Sequence, residues 1–214
     1  MRKLFQKLGL INTQAQSSGN TDVELDVSLR NTSNSNGQNP SPKQNVVKQN
    51  FTELDEEFAY NFTNEGGRFM FCLSKKSLYE SINYVLEINN WKNVFMTEDG
   101  INDLMSQNNQ INTVENHINS DVFISSCDNL VSFNGRIMVS SNQCKGLNFS
   151  ELPVNHIIIA NHSQIVKNLG EGLRRINSIY FKNLPSKITT IKNKKSNKNS
   201  GTAKNIYVFL LEDY

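Results

Sequence analysis

Cys127–Val139 reads CDNLVSFNGRIMV, and a second apolar run, HIIIA, follows at His156–Ala160. Each is a short β-branched segment bounded by Asn, Ser or Gly, the pattern of a strand set between turns. Strands are expected over Arg136–Ser140 and Asn155–Ala160, and the second runs on toward a helix expected from Ser163 to Ser178. Strand, turn and helix in alternation call for right-handed crossovers and a mostly parallel sheet with helices on both faces.

The same grammar extends outward in both directions. Phe51, Leu54, Phe58 and Phe62 recur at helical spacing. Asn50 and Glu53 stand where a capping box would, and Gly66-Gly67 closes the helix. Further strands are expected at Arg68–Leu73, Asn93–Met96, Asp121–Ser125, Ile188–Lys192 and Asn205–Glu212. A helix capped by Ser74 turns Leu78, Ile82, Val85 and Leu86 inward, and another covers Ile101–Ser106.

The 214 residues suffice for one sizeable α/β domain and a tail. Residues 1–11 place Leu4, Phe5 and Leu8 on one helical face, and residues 12–49 run through Gln, Ser, Asn, Gly and Thr with Pro40 and Pro42. That composition buries too little apolar surface to offset chain entropy, so residues 1–49 are expected to be a short amphipathic segment plus a disordered linker, and 50–214 a single domain. A mean hydropathy of −0.50 agrees with an unpacked portion.

A net charge of +2 gives no electrostatic footprint for nucleic acid. The lysine cluster from Lys182 to Lys204 lacks interleaved aromatics and is expected to be a solvated loop. No apolar run approaches the roughly 18 residues that span a bilayer, and no signal-peptide pattern opens the chain. Cys72, Cys127 and Cys144 are far apart with no C-x-x-C spacing, so reduced cytoplasmic thiols are expected, with no metal site and no cofactor.

In an open parallel sheet, ligands bind beyond the carboxyl ends of the strands. Arg136–Ser140 runs into Ser141, and Asn155–Ala160 runs into Asn161, His162 and Ser163. With Asn134 and Gly135, the residues Ser140, Ser141, Asn161, His162 and Ser163 are the candidate crevice for a small anion, favoured by a helix N-terminus at Ser163. The bland alternative is that Asn161 or Ser163 only caps its own helix. His156 is expected to be a packed histidine. Gly170 and Gly172 weaken a helix, so close packing on the sheet is the expected reason for them.

Asp128–Val139 resembles the stretch A-D-A-A-I-A-E-T-G-T-L-V-L of the LUD-domain family, which includes the lactate utilization B and C proteins. Leu152-Pro153, His156–Ala160 and Gln164–Val166 resemble its LP…HIVV…IV segment. Pro185–Lys187 resembles its G-P-S-R segment, and Gly201 with Ile206–Glu212 resembles its terminal strand. The resemblance covers about residues 50–214 in order. It implies a three-layer, Rossmann-like fold like that of ribose-phosphate isomerases, glucosamine-phosphate deaminases and CoA transferases. It also implies a bacterial cytoplasmic accessory role in L-lactate utilisation, beside separate iron–sulfur redox subunits. The alternative is an enzyme or binding protein for a phosphorylated sugar or acyl-CoA. Phe133 stands where the family has Glu, Lys187 where it has Arg, and Thr190 and Lys192 where it has later acids. A carboxylate acid or nucleophile is therefore not carried over to this chain.

Overall fold

A computed structural model describes residues 53–193 and 205–213. The N-terminal segment, the linker over 12–49, Asn50 and most of the lysine cluster lie outside the described residues.

Helix α1, Leu54–Asn64, carries Asp55, Glu56 and Glu57 in its first turn, where the helix dipole favours acids. Its start is set by Glu53 in extended conformation, with no side-chain cap. Its end is a Schellman closure: Gly66 N–H bonds Thr63 O and Gly67 N–H bonds Phe62 O, with Gly66 at φ 86°. A side chain at residue 67 would strike the Phe62 ring at 2.4 Å, so the glycine pair both stops the helix and clears its packing.

Strand β1 is Arg68–Cys72, and α2, Lys75–Ile88, opens with Ser74 and Ser77 in a reciprocal capping box. Then come β2, Asn93–Met96, α3, Asp99–Met105, β3, Asn112–Val114, and β4, Val122–Ser126. The chain continues through β5, Asn129–Val131, β6, Arg136–Ser140, α4, Ser141–Cys144, β7, Asn155–Asn161, and β8, Ile165–Val166. Helix α5, Leu169–Ile179, and strands β9, Ile188–Ile191, and β10, Asn205–Leu211, complete it.

Six strands form a wholly parallel sheet in the order β1-β10-β7-β4-β2-β3. Interior strands read as near-continuous apolar runs because both faces are covered. In β10, Ile206, Val208 and Leu210 face Phe58, Phe62, Phe69, Leu130 and Ile137. Tyr207 and Phe209 face Leu78, Ile82, Val94 and Met105. The layers are therefore α2 with α3, the parallel sheet, and α1 with a second sheet, a three-layer Rossmann-like arrangement.

That second sheet corrects one expectation. Arg136–Ser140 does not join the parallel sheet. It runs antiparallel to both β5 and β9 in the order β8-β5-β6-β9. The physical reason is the turn at Ser132–Gly135, where Gly135 at φ 61° folds the chain straight back as a hairpin. The short strands β3 and β5 were not anticipated.

A helix from Ser163 is the second correction. His162–Gln164 forms a single 3-10 turn, β8 follows, and α5 starts at Leu169. Asn168 caps it by accepting from Glu171 N–H at 3.0 Å, while Ser163 is engaged elsewhere.

Candidate functional site at the β2–β4 switch point

The chain leaves β2 toward the sheet edge at β3 and leaves β4 toward β7, in opposite directions. Their adjoining carboxyl ends form the topological switch point, the place where an open parallel sheet leaves a crevice. Thr97 and Glu98 follow β2; Ser126 ends β4, and Cys127 and Asp128 follow it.

Glu98 bridges the two strands. Its Oε1 accepts from Ser126 N–H at 2.7 Å and its Oε2 from the Ser126 hydroxyl at 2.5 Å. Thr97 Oγ1 donates to the carbonyl of Gln143 on α4. The hairpin β5–β6 starts beside this edge, with Asp128 N–H bonded to Met138 O at 2.8 Å, and so returns Ser140 to the crevice.

Asp128 is buried, at 6% exposure, whereas Glu98, Ser126 and Tyr180 are half-exposed. Its Oδ1 accepts from Gln143 Nε2 at 3.3 Å and from the Tyr180 hydroxyl at 3.2 Å. Gln143 Oε1 in turn accepts from Ser140 N–H at 2.7 Å and from the Ser140 hydroxyl at 2.9 Å. Ser140 thereby fixes which end of the Gln143 amide points at Asp128. Oδ2 of Asp128 is buried without a hydrogen-bond partner.

Burial pushes the Asp128 carboxyl above the ordinary carboxylate range, against the lowering effect of Ser140, Gln143 and Tyr180. Tyr180 is likewise raised, by burial and by the nearby Asp128, while Asn142 hydrogen-bonds its hydroxyl. Cys127 is buried among Asp128 and Glu98, which keeps its thiol protonated and unsuited to nucleophilic attack.

The residues expected to line one anion crevice fall in three places. Asn134 and Gly135 occupy the hairpin turn, about 16 Å of strand from Ser140. There Asn134 Oδ1 accepts from Arg136 N–H at 3.2 Å, and Gly135 is pressed on α1. Ser140 belongs to the Asp128 network. Ser141 turns aside, accepting from Ser186 N–H at 3.1 Å and donating its N–H to Lys187 O at 2.9 Å.

Asn161, His162 and Ser163 form a separate group at the ends of β7 and β10. Asn161 N–H donates to Gln164 Oε1 at 2.7 Å. His162 Nε2 stands 3.7 Å from Oδ2 of the buried Asp55. Ser163 gives both its N–H, at 2.9 Å, and its hydroxyl to the Asp213 carboxylate. The anion expected at Ser163 is thus supplied by the chain itself.

His156 is a packed histidine, stacked on Phe123 at 4.6 Å with Nε2 2.8 Å from Ser125 Oγ. Gly172 is a packing glycine, since a Cβ there would meet Met138 Sδ at 2.4 Å. Asp128, Gln143 and Tyr180 were missed. Asp128 follows a Ser-Ser-Cys strand end and so carried a usable signal, whereas Tyr180 reaches it only through the packing of α5.

Residues 57–210 match the LUD domain. Among solved structures, a DUF162 family protein from Deinococcus radiodurans is similar to this chain with a TM-score of 0.54 and 16% identity. The match covers 74% of this chain and 96% of that one, and at such identity it speaks for the fold alone. No curated protein matches.

Proposed function

The chain belongs to the LUD domain family, and from that premise we propose that it is a cluster-free accessory component of L-lactate utilisation. In that role it works beside cysteine-rich subunits that hold the iron–sulfur clusters. The observation that carries this reading is the state of its own thiols. Cys72, Cys127 and Cys144 are each buried, at separate places: on β1, after β4 and on α4. Burial pushes the Cys72 thiol up to about 12, against the lowering effect of its hydrogen bond with Ser81. Cluster ligation needs convergent thiolates, so electron transfer falls to partner subunits.

The test is genetic and biochemical. Deleting the coding gene is expected to abolish growth on L-lactate while sparing growth on glucose, and a tagged copy is expected to restore it and retain iron-containing partners. Growth of the deletion strain on L-lactate at the parental rate overturns the reading.

A second reading has an observation in its favour. The β2–β4 switch point, with the buried Asp128 just beyond β4, has the position and polarity of a ligand site, and in this reading the protein binds or transforms a phosphorylated sugar or an acyl-CoA there. Thermal shifts with phosphosugars and CoA esters test this: a concentration-dependent rise supports it, and no shift at millimolar ligand rejects it.

A further inference from the structure

At the edge of the parallel sheet, the carboxyl ends of β2 and β3 open into a cavity of about 720 Å³, the size of a small-molecule site. Phe95 and Met96 line it from the end of β2, Val114 from the end of β3 and Leu147 from the turn after α4. Phe95, Val114 and Leu147 pack in one apolar cluster, so much of the wall is apolar. The polar part includes Lys145, Glu115 and His117, whose ring lies 5.9 Å from that of Phe95. Glu98, Ser126, Asp128 and Tyr180 are not among its lining residues, so it is distinct from the network at the switch point.

Lys145 is the anomaly in this wall. It closes α4 in the left-handed conformation, φ 45°, which glycine adopts freely and lysine only with strain. Asn90 is the other non-glycine residue at positive φ among the described residues, and asparagine tolerates it. The turn is held by backbone, with Gly146 N–H bonded to Ser141 O at 3.4 Å and Leu147 N–H to Cys144 O at 3.0 Å. Strain kept where the backbone has no need of a side chain points to a use for that side chain. Its ammonium is not neutralised. The ion pairs among the described residues are Lys76–Glu80, His162–Asp55 and Lys192–Glu65, and none includes Lys145 or Glu115.

We propose that this cavity binds an organic anion with an apolar body, a carboxylate on an aromatic or aliphatic group. Lys145 holds the charge, and Phe95, Met96, Val114 and Leu147 receive the body. An inorganic anion would leave the apolar wall uncovered, and a neutral ligand would leave the ammonium unpaired. The inference rests on neither role proposed above, because it concerns a different cavity.

Phenylacetate is the probe, titrated into the full chain carrying carbon-13 methyl-labelled methionine, so that Met96 reports from the cavity wall. A saturable shift of the Met96 methyl is expected. Lys145→Gln removes the charge while keeping the strained turn, and is expected to weaken binding by at least about tenfold. Neutral phenylacetamide is expected to bind the wild type weaker by a similar factor. Lys145→Gly removes side chain and strain together. It is expected to lose the probe yet melt at or above the wild-type temperature. Glu115→Gln, which deletes a like charge, is expected to tighten binding. No saturable shift at Met96, equal binding of acid and amide, or undiminished binding in Lys145→Gln overturns the proposal. So does a Lys145→Gly variant that melts clearly below the wild type, since the lysine would then be kept for packing.

Discussion

Gly135 lies so close to α1 that a Cβ at that position would come within 2.5 Å of the Phe62 nitrogen. The contact is backbone to backbone, so no side chain can swing away to relieve it. Asn61 reinforces the junction, its Nδ2 donating to Ser132 O at 2.8 Å and Phe133 O at 3.3 Å. The hairpin turn is thus a docking point for α1, and Phe133, at 70% exposure, is a bystander on its outer side.

Gly135→Ala combines a left-handed backbone, φ 61°, with that collision. A loss of at least roughly 2 kcal/mol is expected in denaturant unfolding. Gly146→Ala is the control: φ is 79° but nothing lies within 4 Å, so about 1 kcal/mol is expected. Equal losses at the two positions would refute the backbone contact.

Gly172→Ala drives a methyl toward Met138 Sδ on β6, a side chain only 1% exposed. A cost of about 1–3 kcal/mol is expected. Combining it with Met138→Ala is expected to cost less than the sum of the single changes, by about 1 kcal/mol, because the smaller side chain vacates the collision. Strict additivity in a double-mutant cycle would show that α5 and β6 are not in contact there.

Asp128 has a raised folded-state pKa, so the folded chain binds its proton more tightly than the unfolded chain. The linkage sign follows: its contribution is most favourable below the ordinary 3.8 and is lost as pH rises through the folded value. Asp128→Asn removes that dependence. Urea unfolding of the two proteins is expected to show the variant gaining on the wild type as pH rises from about 4 to about 7. A difference that is flat with pH would mean that Asp128 ionises alike in both states.

Asp213 behaves in the opposite sense. Burial raises its pKa, but the Ser163 hydroxyl and N–H outweigh that and hold it below the ordinary carboxylate value. Its stabilising effect is present above the unfolded pKa of 3.8 and lost as pH falls through the lower folded one. The pair is exposed, so Ser163→Ala is expected to cost less than about 1 kcal/mol at neutral pH, and less still in strong acid. Thermal melts at both pH values check the order.

The sequence was most legible where one residue's neighbours in the chain decide its conformation. The Schellman closure at Gly66-Gly67, the Ser74 cap and the limits of Asn93–Met96 and Arg136–Ser140 are local matters of φ, capping and apolar period. The second sheet was not legible, because an apolar strand period says nothing about which partner it will find. The Glu98–Ser126 bridge and the Asp128–Tyr180 bond join residues 28 and 52 positions apart. Nothing in the local pattern of Tyr180 announces Asp128. His162 and Ser163 were placed correctly at a strand end, yet Asp213, brought there by β10, decides what Ser163 binds.

Strand β10 pairs with β1 on one side and β7 on the other, although every other described element precedes it in the chain. During synthesis β1 and β7 must therefore wait with adjoining edges unpaired and Phe69, Phe71, Ile157 and Ile158 in search of cover. The sheet can close only when residues 205–211 have left the ribosome, so a truncated or stalled nascent chain presents two open, apolar edges to its neighbours. Dependence on a late-arriving central strand makes aggregation the expected fate of the chain whenever translation stops short of it.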